Sequence, residues 1–107
     1  MYQFKDIYSL DFTNVTHYLE IHFIIRRELD FPDYYGSNWS AFWDCLTDMY
    51  GRPVHIEILG LDVIEQNFGD AAEKMLTILK RFKHFEASFT NDILIEIVRG
   101  DSREILA

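Results

Sequence analysis

Two periods of hydrophobic and polar positions alternate along this chain, and the change from one to the other marks its elements. At the amino end Tyr2, Phe4 and, less regularly, Ile7 alternate with polar neighbours, which predicts a short first strand over Tyr2 to Tyr8. Tyr18, Ile21, Ile25 and Leu29 then recur at spacings of three, four and four. That is the pattern of an amphipathic helix ending near Leu29, with Asp11, Thr13, Asn14 and Thr16 as N-cap candidates. Pro32 biases Phe31 toward extended geometry and Gly36 permits a positive φ, so Asp30 to Ser37 reads as a turn-rich loop carrying the adjacent tyrosines Tyr34 and Tyr35. Ser37 or Asn38 can cap a second helix. Its inner stripe would be Trp39, Phe42, Leu46 and Met49 and its outer stripe Ser40, Asp44, Thr47 and Asp48, with Trp43 between the two.

Gly51 and Pro53 punctuate, and Val54, Ile56 and Ile58 alternate with His55, Glu57 and Leu59 before Gly60 closes a second strand. A short helix is expected over Leu61 to Asn67. A longer one starts at Asp70, with Ala72, Met75, Leu76, Leu79 and Phe82 facing inward. Ile93 to Val98 is nearly continuous in apolar residues and reads as a third strand buried on both faces or close to it. The order strand, helix, helix, strand, helix, helix, strand uses crossovers throughout. An α/β fold follows, a small three-stranded parallel sheet packed by about four helices. Residues 1–107 are expected to form a single domain, since a second core would need roughly 50 more residues.

Composition narrows the classes of function. Hydrophobic residues make up 49% of the chain and charged ones 26%, which excludes disorder and fibrous repeats. A lone Cys45 cannot form an internal disulfide. Met1 to Leu10 lacks a basic region followed by a greasy stretch, and no apolar run exceeds three residues, so the expected compartment is the cytoplasm and no membrane partner is implied. The net charge of −8 repels phosphate backbones, which argues against direct nucleic-acid binding. Charge is also uneven: Glu28 to Glu73 holds ten acidic residues against the single base Arg52, whereas Lys74 to His84 holds Lys74, Lys80, Arg81 and Lys83 and no acid. An acidic centre of this kind steers basic partners.

Signs of catalysis are lacking. The five glycines stand singly, so no phosphate cradle is visible. His17 and His22 fall about 140° apart on a helix, which disfavours a shared metal, and no metal or other cofactor is expected. Cys45 lies on or beside the inner stripe of its helix with Asp44 and Asp48 nearby, the setting of a structural thiol rather than a nucleophile. His55 and His84 have no Ser or Cys at a catalytic spacing. By contrast, Phe31 to Tyr50 contains seven of the 17 aromatic residues, both tryptophans and the acids Asp33, Asp44 and Asp48, with no base. Aromatic anchors around carboxylates suit a protein-binding surface aimed at a cationic target. Trp39 and Phe42 read as core, while Tyr34 and Tyr35 cannot easily both be buried beside a glycine turn.

The run Pro32-Asp33-Tyr34-Tyr35-Gly36-Ser37-Asn38-Trp39-Ser40-Ala41-Phe42-Trp43-Asp44-Cys45-Leu46-Thr47 closely resembles a segment of the barstar family, intracellular inhibitors of the ribonuclease barnase. The resemblance implies a non-enzymatic, stoichiometric inhibitor that binds a basic ribonuclease or ribonuclease toxin in a 1:1 complex and plugs its active site, as an immunity protein does. Asp44 would be the central carboxylate meeting the groups that handle phosphate. Tyr34 would stack on the catalytic imidazole, and Tyr35, Asn38, Trp43 and Thr47 would line or support the same face. With the outer stripe, the candidate partner-binding residues are Tyr34, Tyr35, Asn38, Ser40, Trp43, Asp44, Thr47 and Asp48. Two positions depart from the family: Ser40 stands where its helix has a second interfacial acid, and an ungapped alignment from Ala72 brings Arg81 to the place of an interfacial glutamate. These departures point to a nuclease other than barnase. The competing reading is a module with the same fold that binds a basic protein other than a nuclease.

Overall fold

The computed structural model describes residues 7–32, 35–49, 53–84 and 93–106. Eight elements follow one another: β1 (Tyr8–Asp11), α1 (Tyr18–Glu28), α2 (Trp39–Thr47), β2 (Val54–Leu59), α3 (Leu61–Asn67), α4 (Gly69–His84), β3 (Ile93–Arg99) and β4 (Ser102–Ile105). The strands form one sheet in the order β1-β2-β3-β4. β1, β2 and β3 run parallel, and the register stacks Tyr8 on Ile56 on Ile95 and Leu10 on Ile58 on Ile97. These side chains are buried on one face of the sheet. Against them pack Ile21, Ile25 and Leu29 of α1 and its end, Phe42, Leu46 and Met49 of α2 and its end, and Met75, Leu79 and Phe82 of α4, all inaccessible to solvent and all within one contiguous core.

The opposite face of the strands carries a polar network beside the half-buried Leu59, Leu94 and Val98. Ser9 Oγ donates to Glu57 Oε1, Arg103 pairs with Glu57 at 3.0 Å and with Glu96 at 3.5 Å, and His55 Nε2 meets Glu96 Oε1 at 2.5 Å. The alternation of buried isoleucines with this network explains why the core lies on one side.

Four differences from the sequence reading have physical causes. The sheet has a fourth strand: Gly100, at φ 57°, turns the chain after β3 so that β4 pairs antiparallel with it, Arg99 opposite Ser102. All four β4 residues are exposed, so no hydrophobic alternation announces it. The first strand runs past Tyr8 to Asp11 and buries Tyr8 and Leu10, each at most 1% exposed, while Tyr2 to Asp6 lie outside the described residues. The left-handed residue of the α1–α2 loop is Ser37, at φ 50°, with Asp30 at φ 56° at the loop's start; Gly36 is not in that region. Finally, β3 is fully buried only at Ile95 and Ile97, and its other apolar side chains are half-buried.

Gly60 fixes the junction of β2 and α3. At φ 72° it approaches the chain after β1 so closely that a Cβ would stand 2.4 Å from the Thr13 backbone nitrogen. Only glycine fits there.

A candidate protein-binding face on the second helix

α2 begins where Asn38 Oδ1 accepts the Ala41 N–H at 2.8 Å, while Asn38 Nδ2 donates to the Gly36 carbonyl at 3.1 Å. Both ends of this amide are therefore used within the chain, and Asn38 organises the loop-to-helix junction. The 3.6-residue period then divides the helix: Phe42, Cys45 and Leu46 point into the core, Ser40 and Asp44 are exposed, and Trp43 and Thr47 are half-buried at the margin. Asp48, the C-cap, is also exposed. The Thr47 hydroxyl donates to the Asp44 carbonyl at 2.8 Å, which ties it back to its own helix. Ser40, Asp44 and Asp48 thus share one outward stripe with Trp43 beside it.

The charge on this stripe is placed against the helix. α2 has no acidic residue in its first turn and no basic residue in its last, so Asp44 and Asp48 stand at the end that carries the negative pole of the macrodipole. Among the described residues no base lies within ion-pair distance of either carboxylate. Arg81 of α4 borders the face, its guanidinium carbon 4.1 Å from the centre of the Trp43 ring.

Behind the stripe, the loop is fastened to α1. The Tyr35 hydroxyl and His22 Nδ1 are 2.6 Å apart, and both residues are buried. Tyr35 therefore supports the face from below and does not line it. Its ring also packs on Phe31, with centroids 5.5 Å apart. His22 lies 4.5 Å from the Trp39 ring, and Trp39 Nε1 donates to the Tyr18 hydroxyl, so one aromatic cluster links α1, the loop and the start of α2. Burial pushes the His22 imidazole below its ordinary range and the Tyr35 hydroxyl above its own. His22 Nε2 is buried with no hydrogen-bond partner. The sequence reading weighed His22 only as a metal ligand and missed this role; its proximity to the inner stripe of α1 was the available signal. Tyr34 and Asp33 lie outside the described residues.

Cys45 is a free thiol, 3% exposed, and burial, aided by the negative charges of Asp48 and Asp44, raises its pKa. Among the described residues no group of three or more His, Cys, Asp or Glu is placed to hold a metal ion. None of their helices is long and apolar enough to cross a membrane. An exposed acidic and aromatic stripe braced from behind is suited to protein recognition.

Comparison with known proteins agrees with that chemistry. The family model described as "Barstar (barnase inhibitor)" matches residues 6–97. The chain is also 33% identical over 70 residues to "Putative ribonuclease inhibitor YrdF" of Bacillus subtilis (strain 168), covering 65% of this chain and 74% of that relative. This chain belongs to the barstar family.

Proposed function

We propose that this chain is a non-enzymatic inhibitor that binds a cognate ribonuclease one to one and fills its basic active site with the outward stripe of α2 and the loop before it. The observation that carries this reading is the charge placement on α2. Asp44 and Asp48 stand exposed at the negative pole of the helix, and among the described residues no base pairs with them. Each carboxylate there is unfavourable in the free chain, and a cationic partner reverses the sign of that interaction. An enzyme that cleaves RNA must hold phosphate, so its active site offers the required arginine, lysine and histidine side chains. The net charge of −8 fits a protein that takes the place of RNA and does not bind it.

In this reading Asp44 is the central carboxylate, Trp43 and Ser40 flank it, and Tyr34 stacks on the catalytic imidazole. Tyr35, Asn38 and Thr47 hold these groups in place. Asp48 extends the negative field toward the partner's rim. The setting is the cytoplasm of a cell protecting itself from a ribonuclease toxin.

Titration of barnase-type ribonucleases cleaving a fluorogenic RNA tests the reading on the one that is inhibited most tightly. Cleavage should fall linearly with added protein and end at one equivalent when binding is tight. A complex that forms while cleavage continues would contradict it and support a module that binds a basic protein by another surface of that partner.

A further inference from the structure

The α2 face carries a cation as well as carboxylates. Arg81 is exposed, yet its guanidinium is held 4.1 Å from the Trp43 ring centre, at the margin of the stripe that carries Asp44. Exposed and held over the indole, the guanidinium is a planar fork of donors that can meet a carboxylate in two-point contact. Among the described residues no carboxylate lies within ion-pair distance of Arg81. Lys74, two helical turns earlier and also exposed, shares its stripe of α4. The face therefore has two signs, negative along α2 and positive along the adjoining edge of α4.

A surface that handles RNA is lined by bases, and a base facing Arg81 would cost affinity by like-charge contact. We propose that Arg81 is a specificity determinant of this face: the cognate ribonuclease presents an Asp or Glu on its active-site rim opposite Arg81, and ribonucleases with a base at that point are rejected. This rests on the reading of the α2 stripe as the nuclease-binding face. Arg81 selects the partner, and Asp44 supplies the general attraction.

The test uses barnase and a set of barnase variants, each with one rim Lys or Arg changed to Glu, against wild type, Arg81→Glu, Arg81→Ala, Arg81→Lys and Asp44→Ala. Circular dichroism and thermal midpoints establish that each protein is folded; Arg81→Ala serves if Arg81→Glu is not. On barnase, Arg81→Glu should inhibit at least about tenfold more tightly than wild type, Arg81→Ala should fall between them, and Arg81→Lys should match wild type. At least one barnase variant should be inhibited about tenfold more tightly by wild type, and that gain should vanish with Arg81→Glu. Identical inhibition by wild type and the folded Arg81 variants across the whole set would overturn the proposal. If Asp44→Ala then loses inhibition, only the role of Arg81 falls. If no protein inhibits any member, the inhibitor reading of the face falls with it.

Discussion

His22 bears on the loop before α2 through its Nδ1 and through its ring, which packs 5.8 Å from that of Tyr35. Its Nδ1 lies 2.6 Å from the Tyr35 hydroxyl, and the residue is inaccessible to bulk solvent. Because burial lowers its pKa, the unfolded chain takes up a proton before the folded one as the pH falls below about 6.5. The stability that depends on a neutral His22 is therefore complete above that pH and is lost as the pH drops toward the lower, folded value. Thermal midpoints should decline between pH 7 and pH 5 more steeply in the wild type than in His22→Gln; equal slopes would contradict this. Cys45, with its thiol buried and its pKa raised, should resist iodoacetamide at neutral pH until the protein is unfolded. Rapid labelling of the native protein would place the thiol elsewhere. At this scale the outward Asp44 and inward Cys45 were legible from helical spacing alone. The burial of Tyr35 was not, because it depends on a partner 13 residues away on another element.

The elements that matter most are the start of α2 and the turn that precedes it. Asn38 closes both the helix and the loop, so Asn38→Ala removes a cap that contributes about 1 kcal/mol and frees the Gly36 carbonyl from its side-chain donor. Denaturant unfolding should show a loss of that order, and inhibition should weaken with it because Ser40 and Asp44 are positioned from this end. An unchanged midpoint would remove Asn38 from its role as organiser. α2, α3 and α4 could be read from the sequence because each buries a continuous apolar stripe. β4 could not be read in that way. Its side chains are all exposed, and its single cue is the Gly100-Asp101 turn that folds it onto β3. The start of α1 also escaped the spacing: His17 is the N-cap without a side-chain bond, while the carboxylate of Glu20 accepts from the Thr16 backbone and hydroxyl.

For the whole molecule, the decisive property is a strongly acidic chain that exposes carboxylates on one braced surface and sets an arginine over Trp43 at its edge. Net charge and the acidic centre were visible in the sequence, as was the resemblance that pointed to a ribonuclease partner. The contact between Arg81 and Trp43 needed the fold, because it joins α4 to α2 across 38 positions of the chain. Long-range attraction by the acidic face should make association with a basic nuclease faster at low salt, since the field is screened beyond about 8 Å at physiological ionic strength. The most direct measurement is the inhibition constant and association rate of wild type and Asp44→Ala toward a barnase-type ribonuclease on a fluorogenic RNA, at low and physiological salt. The folded Asp44→Ala variant should lose about 30- to 5,000-fold in inhibition, equivalent to about 2–5 kcal/mol, and the wild-type association rate should fall as salt rises. Equal inhibition by the two proteins would contradict the assignment of Asp44 and of the face it centres.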